Sequence, residues 1–271
     1  MRRRLDTELV RRGLAPSRAR ALADIEAGRV LVGGAPAAKA AALVDPAQSI
    51  ELLGPPPRYV GRGGEKLDAA LEHFGVEVQG CRAVDVGSST GGFTDCLLQR
   101  GARSVVAVDV GRGQLHERLR ADARVVVRER TDVRALGPEE IGGPVPVVVA
   151  DVSFISLRTV LPALLRLATP AAAVVALVKP QFECGRREAS RARGVVRDPA
   201  VWRRVLDGIA VALVDAGGTM MGAMVSPLTG AEGNVEFFLH ALAPGASACP
   251  EVPVVDLDAV VAEAARRHGA G

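Results

Sequence analysis

The chain has 271 residues, 48% of them apolar, and a net charge of +3. That length can bury one full core and a smaller second one, and the longest apolar run, Ala171 to Val178, is far below the roughly 18 to 20 residues of a membrane span. Arg2, Arg3 and Arg4 lead straight into Asp6 and Glu8 without an apolar segment, so neither a secretory signal nor a membrane partner is expected and the protein is read as cytoplasmic. Cys81, Cys96, Cys184 and Cys249 lack the spacing of a zinc site or a disulfide framework.

Positive charge gathers at the start. Residues 1–30 hold eight Arg against four acids, which suits a phosphate-facing module or a solvated helical face. Leu5, Leu9 and Val10 have helical spacing that stops at Gly13. Ser17 can open a second helix that ends at Gly28. Arg29–Val32, a Gly33-Gly34 turn and Ser49–Leu53 read as short strands. This order, with Arg-Leu-Asp at 4–6 and Gly-Arg-Val-Leu-Val-Gly-Gly-Ala at 28–35, resembles the S4-type RNA-binding domain. The resemblance implies that Arg4, Arg18 and Arg20 meet folded RNA, with salt-sensitive phosphate contacts. The expected division is an S4-like domain over 1–54, a Pro-rich spacer over 55–62, a catalytic domain over 63–245 and a tail over 246–271 with a helix at 255–268.

From Gly80 onward, Val-rich runs alternate with helical segments: Arg82–Val86, Ser104–Asp109, Arg124–Arg128, Val145–Ala150, Ala173–Val178, Thr219–Ser226 and Val235–Leu242. Such alternation predicts a doubly wound α/β domain whose parallel sheet is covered on both faces. The first strand runs into Gly87-Ser88-Ser89-Thr90-Gly91-Gly92-Phe93, a turn that lets a nucleotide-like ligand approach the backbone. Its glycine spacing is not that of the dinucleotide fingerprint, and Asp85 just before it would repel a pyrophosphate. The acid suits the cationic end of S-adenosylmethionine instead. Asp109, at the end of the second strand, is placed to grip a ribose diol, and Asp132 is placed to reach the adenine amine.

Only three of the 34 basic residues are lysine, and two of them, Lys66 and Lys179, sit in segments punctuated by Gly or Pro. Lysine, unlike arginine, can do proton chemistry. Asp151 and Lys179 close strands, while Glu236 opens the last one. Five motifs surround these residues: Gly-Arg-Gly-Gly-Glu-Lys-Leu at 61–67, the turn beginning at Asp85, Ala-Asp-Val-Ser-Phe-Ile-Ser at 150–156, Leu-Val-Lys-Pro-Gln-Phe-Glu at 177–183, and Gly-Asn-Val-Glu-Phe-Phe at 233–238. Together they resemble the TlyA-type rRNA 2′-O-methyltransferase family, also labelled hemolysin-like, whose catalytic domain is FtsJ-like.

That resemblance implies a Rossmann-like α/β methyltransferase domain that uses S-adenosylmethionine. Its expected activity is 2′-O-methylation of cytidine in 16S and/or 23S rRNA, on ribosomal subunits. A tetrad of Lys66, Asp151, Lys179 and Glu236 would surround the methyl-transfer centre. Gly61 stands where the family has Ser, and Ser88 where Ala is common. A 2′-hydroxyl must be held in line and relieved of its proton. Lys179 is the expected agent, as base or as electrostatic stabiliser, with Lys66 steadying the oxyanion. Arg186 and Arg187, in an Arg-rich loop after the fifth strand, are further RNA-binding expectations. A non-catalytic RNA-binding assembly factor and a membrane-active hemolysin are the competing readings. The intact tetrad opposes the first; the absence of a signal or a membrane-length run opposes the second.

Overall fold

The computed structural model describes residues 2–245 and 253–269, apart from Pro16, Ala27, Ala38, Pro55, Pro56, Arg186, Arg187, Ala189, Arg191 and Arg193. The chain divides into two compact units, Met1–Pro57 and Arg58–Gly271.

In the first unit, α1 (Leu5–Arg11) and α2 (Arg18–Glu26) pack against short strands. Strands β1 (Arg3–Arg4) and β4 (Leu43–Val44) pair antiparallel. β2 (Val30–Val32) lies between β3 (Ala35–Pro36) and β5 (Ile50–Leu52). Gly33 and Gly34 both take positive φ, at 60° and 81°, which a two-residue hairpin turn requires and glycine supplies without strain. Leu5, Leu9, Ala21, Ile25, Val30, Val44 and Ile50 form the small core.

The second unit is built on a seven-stranded sheet of order β11-β12-β10-β9-β6-β7-β8. Its strands are β6 (Arg82–Val86), β7 (Ser104–Val108), β8 (Val125–Arg128), β9 (Val145–Ala150), β10 (Ala168–Val178), β11 (Thr219–Val225) and β12 (Phe237–Leu242). Side chains alternate cleanly between the faces: Val84, Val86, Val148 and Ala150 join one core, while Ala83, Val147 and Val149 join the other. Helices α6 (Leu157–Arg166), α8 (Pro199–Asp215) and α9 (Leu257–His268) cover the first face. α3 (Arg62–Phe74) and α4 (Gly92–Gln99) cover the second. Two short helices follow β7 and β10, α5 (Glu117–Arg120) and α7 (Pro180–Glu183).

Two expectations change. β12 runs antiparallel to both β10 and β11, so the sheet is mixed where a parallel one was expected; the link from Val225 to Phe237 is too short to carry the crossover helix a parallel pair needs. Residues 58–62, read as spacer, are held by the second unit. Tyr59 is buried in its core, and the Val60 amide donates to Asp95 at 2.9 Å. The helix expected at 255–268 is present as α9, and it buries Leu257, Val261 and Ala264 on the main core.

Candidate active site

Three glycines bring the N-termini of α3 and α4 together. A Cβ at Gly64 would lie 2.3 Å from the Tyr59 ring, one at Gly63 would lie 3.3 Å from the Phe93 ring, and one at Gly92 would lie 3.0 Å from the Gly64 nitrogen. One turn into α3, buried Lys66 donates from Nζ to Glu236 Oε2 at 2.5 Å. Glu236 is tucked under Gly230, where a Cβ would fall 2.0 Å from Oε1.

The second pair forms beside the first. Lys179 Nζ lies 2.5 Å from Asp151 Oδ1 and donates to Ser153 Oγ at 2.9 Å. Among the described residues Asp151 Oδ1 accepts no aligned hydrogen bond, so the Asp151 contact is an ion contact and the directional bond is the one to Ser153. Sheet register explains the meeting. Val178 is opposite Phe237 and Ala176 is opposite Ala150, which sets Lys179, Glu236 and Asp151 at one edge. Asp151 Oδ2 also lies 4.0 Å from the Cβ position of Gly63 in α3. All four tetrad residues therefore stand at the same end of the sheet, as two lysine–carboxylate pairs.

A cavity of about 570 Å³ opens beyond this edge, lined by Gly87, Ser89, Asp109, Gln114, Asp132, Arg134, Asp151, Ser153 and Phe154, among others. It sits over β6 and β9, where the strand order changes direction, the usual ligand position in such sheets. Gly87, at φ 83°, packs so closely that a Cβ would meet the Asp151 carbonyl oxygen at 2.4 Å. Asp109 is fixed from both sides: Oδ2 accepts the Ser89 amide at 2.7 Å and Oδ1 the Gly111 amide at 2.6 Å. Asp132 is committed to Arg134, which donates to both its oxygens and holds its carboxyl below the usual range.

The other expected cofactor residues shape the wall without lining it. Asp85 is fully buried, and its Oδ2 accepts from Thr94 Oγ1 at 2.6 Å. Burial pushes its carboxyl up to about 7, against the Thr94 hydrogen bond and with help from the Asp151 charge. Ser88 is buried, and the Thr90 carbonyl accepts the His116 amide at 3.1 Å. Gly91 backs onto Leu115 and Leu119, Gly92 meets α3, and Phe93 stacks on Phe238 with ring centres 6.1 Å apart.

Sequence reasoning assigned no role to Ser153 or Phe154, although both lie in the 150–156 motif. Phe154 is 92% exposed at the cavity wall with a left-handed φ of 65° and rests on Phe182 at 5.1 Å. A bulky residue in that conformation is uncommon and tends to mark a working surface.

In the first unit, the expected RNA contacts are ion-paired. Asp6, buried, accepts from Arg4 Nη2 and Arg18 Nη2, each at 2.9 Å. Its carboxyl is held far below the usual range, chiefly by Arg4. Arg20 pairs with Asp24 at 2.9 Å, and Arg29 joins the same carboxylate. Glu8 gathers Arg11 at 2.6 Å and Arg12 at 2.8 Å, which pull its carboxyl down to about 2. Each cluster keeps more guanidinium than carboxylate, so net positive charge survives the pairing. Arg186 and Arg187 lie outside the described residues.

Residues 59–242 match the FtsJ-like methyltransferase family and residues 3–50 the S4 domain. The chain belongs to the FtsJ-like methyltransferases. Within that family it is similar to the 16S/23S rRNA (cytidine-2′-O)-methyltransferase TlyA of Mycobacterium tuberculosis, at 51% identity over 88% of this chain and 89% of the relative. YqxC of Bacillus subtilis is 45% identical over 96% of this chain and 93% of its own. A solved structure from Streptococcus thermophilus, titled as a hemolysin, superposes with a TM-score of 0.77 at 38% identity, covering 98% of this chain and 96% of that one. This FtsJ-like chain is thus a TlyA-type methyltransferase with an S4 domain. Among its described residues no helix is long and apolar enough to cross a membrane.

Proposed function

We propose that this chain uses S-adenosylmethionine to methylate the 2′-oxygen of a cytidine ribose in 16S and/or 23S rRNA, acting on ribosomal subunits in the cytoplasm. The observation that carries this reading is the pair of lysine–carboxylate contacts at one sheet edge, beside a cavity of small-ligand size on a methyltransferase fold. The M. tuberculosis relative, a 16S/23S rRNA (cytidine-2′-O)-methyltransferase, supports cytidine as the target.

The cavity residues fit the cofactor. Gly87 allows close backbone approach, and Asp109, pinned by two amides, keeps acceptor capacity for a ribose diol. Asp132 would share its oxygens between Arg134 and an adenine amine. Asp85 acts through the wall, by its field and by Thr94, with no direct contact. When bound, S-adenosylmethionine supplies an electrophilic methyl group.

The chain's own residues handle the nucleophile. Lys179, held by Asp151 and Ser153, presents an ammonium that stabilises negative charge developing on the ribose oxygen. The Asp151 carboxylate beside it is a basic group able to receive the hydroxyl proton. Lys66 and Glu236, buried as a pair, keep the adjoining wall polar and rigid. Exposed Phe154 offers a flat apolar face next to the cavity mouth. The S4 domain adds salt-sensitive attachment to RNA through Arg4, Arg18 and Arg20.

Calorimetric titration with S-adenosylmethionine tests the cofactor assignment. Wild type should bind, and Asp109→Ala should weaken binding at least about tenfold, the loss of roughly one charge-assisted interaction. Equal affinity in the two proteins would remove Asp109 from the site.

A further inference from the structure

We infer that Glu183 is a positioning residue for methyl transfer, holding the loop that carries Asp151, Ser153 and Phe154 in register with Lys179; the catalytic part of this rests on the function proposed above. Glu183 ends α7, the short helix that begins directly after Lys179, and it is only 7% exposed. Its Oε1 accepts the Leu157 amide at 2.5 Å and its Oε2 accepts Ser156 Oγ at 2.6 Å. Arg158 Nε approaches Oε2 at 3.5 Å, and Arg158 Nη2 donates to the Glu183 carbonyl at 3.0 Å.

One short segment therefore grips the loop at both ends. Lys179 takes Asp151 and Ser153 at the near end, and Glu183 takes Ser156 and Leu157 at the far end. Phe154 stands between the grips and leans on Phe182 of the same segment. A further tie is the Asp151 amide, which donates to the Val86 carbonyl at 2.9 Å.

Stability alone asks for no carboxylate here. Ser156 already caps α6 by accepting the Arg158 amide at 3.2 Å, and burying a charge is costly when, among the described residues, the cation facing it is a half-exposed arginine 3.5 Å away. What a carboxylate adds is two short charge-assisted bonds of fixed direction. Fixing reacting groups to within a fraction of an ångström is worth large rate factors.

The test compares Glu183→Ala and Glu183→Gln, each alone and combined with Ser153→Ala, by methyl transfer to RNA and by amide hydrogen exchange. Glu183→Ala should lower kcat about tenfold or more with KM for RNA within about threefold. Glu183→Gln, which keeps an acceptor for the Leu157 amide, should lose only about threefold. Both losses should shrink in the Ser153→Ala background, because residues that hold one loop in the same arrangement are non-additive. If Glu183→Ala fails to fold, the Gln variant and its cycle decide the matter. Losses that add fully to that of Ser153→Ala, or wild-type kcat in both Glu183 variants, would overturn the role. Hydrogen exchange separates this from the function itself. The 151–157 peptide should lose protection in Glu183→Ala while β9 and β10 keep theirs, and unchanged protection there would overturn the positioning even in a protein that transferred no methyl group.

Discussion

Lys179 touches Asp151 and Ser153, yet does not itself line the cavity. Truncation should therefore separate chemistry from cofactor binding. Lys179→Ala is expected to lower single-turnover methyl transfer by about 100-fold or more, the usual scale for removing an electrostatic stabiliser, with S-adenosylmethionine affinity within about threefold. Wild-type turnover would exclude Lys179 from the mechanism. Asp85 makes a different prediction. Its folded carboxyl titrates near 7, against 3.8 for the free group, so between those values folding takes up a proton. Wild-type stability should fall as pH rises through that window, on the order of 1 kcal/mol per pH unit, and level off above it. Asp85→Asn lacks this dependence, so its stability relative to wild type should improve from pH 5 to pH 8. Urea melts showing the same difference at both pH values would contradict the buried carboxyl's role. From sequence, Asp85 was legible as an acid beside the cofactor turn; that it stands behind the wall was not, because burial depends on α4 bringing Thr94 over it.

The elements explain why the tetrad was legible and its pairing was not. Asp151 and Lys179 close Val-rich strands, and the strand pattern alone sends both to one sheet edge. Which lysine meets which acid depends on the antiparallel register of β12 against β10 and on the approach of α3, neither encoded in local periodicity. That approach depends on Gly64. Gly64→Ala forces a methyl against the buried Tyr59 ring and should cost about 1–3 kcal/mol of stability, the range for overpacking a core; denaturation matching wild type would mean the ring yields freely. Glu183 stands inside the 177–183 motif, but its partners, Ser156 and Leu157, are reached only through the α6–α7 packing, which local periodicity does not encode.

At the scale of the whole molecule, the chain joins a small arginine-studded unit to a methyltransferase unit. The excess of Arg at the start was visible in composition. Its organisation by the buried acids Asp6, Glu8 and Asp24 was not. Arg4→Ala combined with Arg20→Ala should weaken RNA binding and reduce the slope of log affinity against log salt by about 1 to 2, one phosphate contact per arginine. An unchanged slope would place the RNA contacts elsewhere.

Transfer of a labelled methyl group from S-adenosylmethionine to separately purified, unmodified 30S and 50S subunits, followed by nucleoside analysis, tests the central claim most directly. The expected product is labelled 2′-O-methylcytidine in at least one subunit. Label on a base or on another ribose, or no label from protein that binds the cofactor, would contradict the claim.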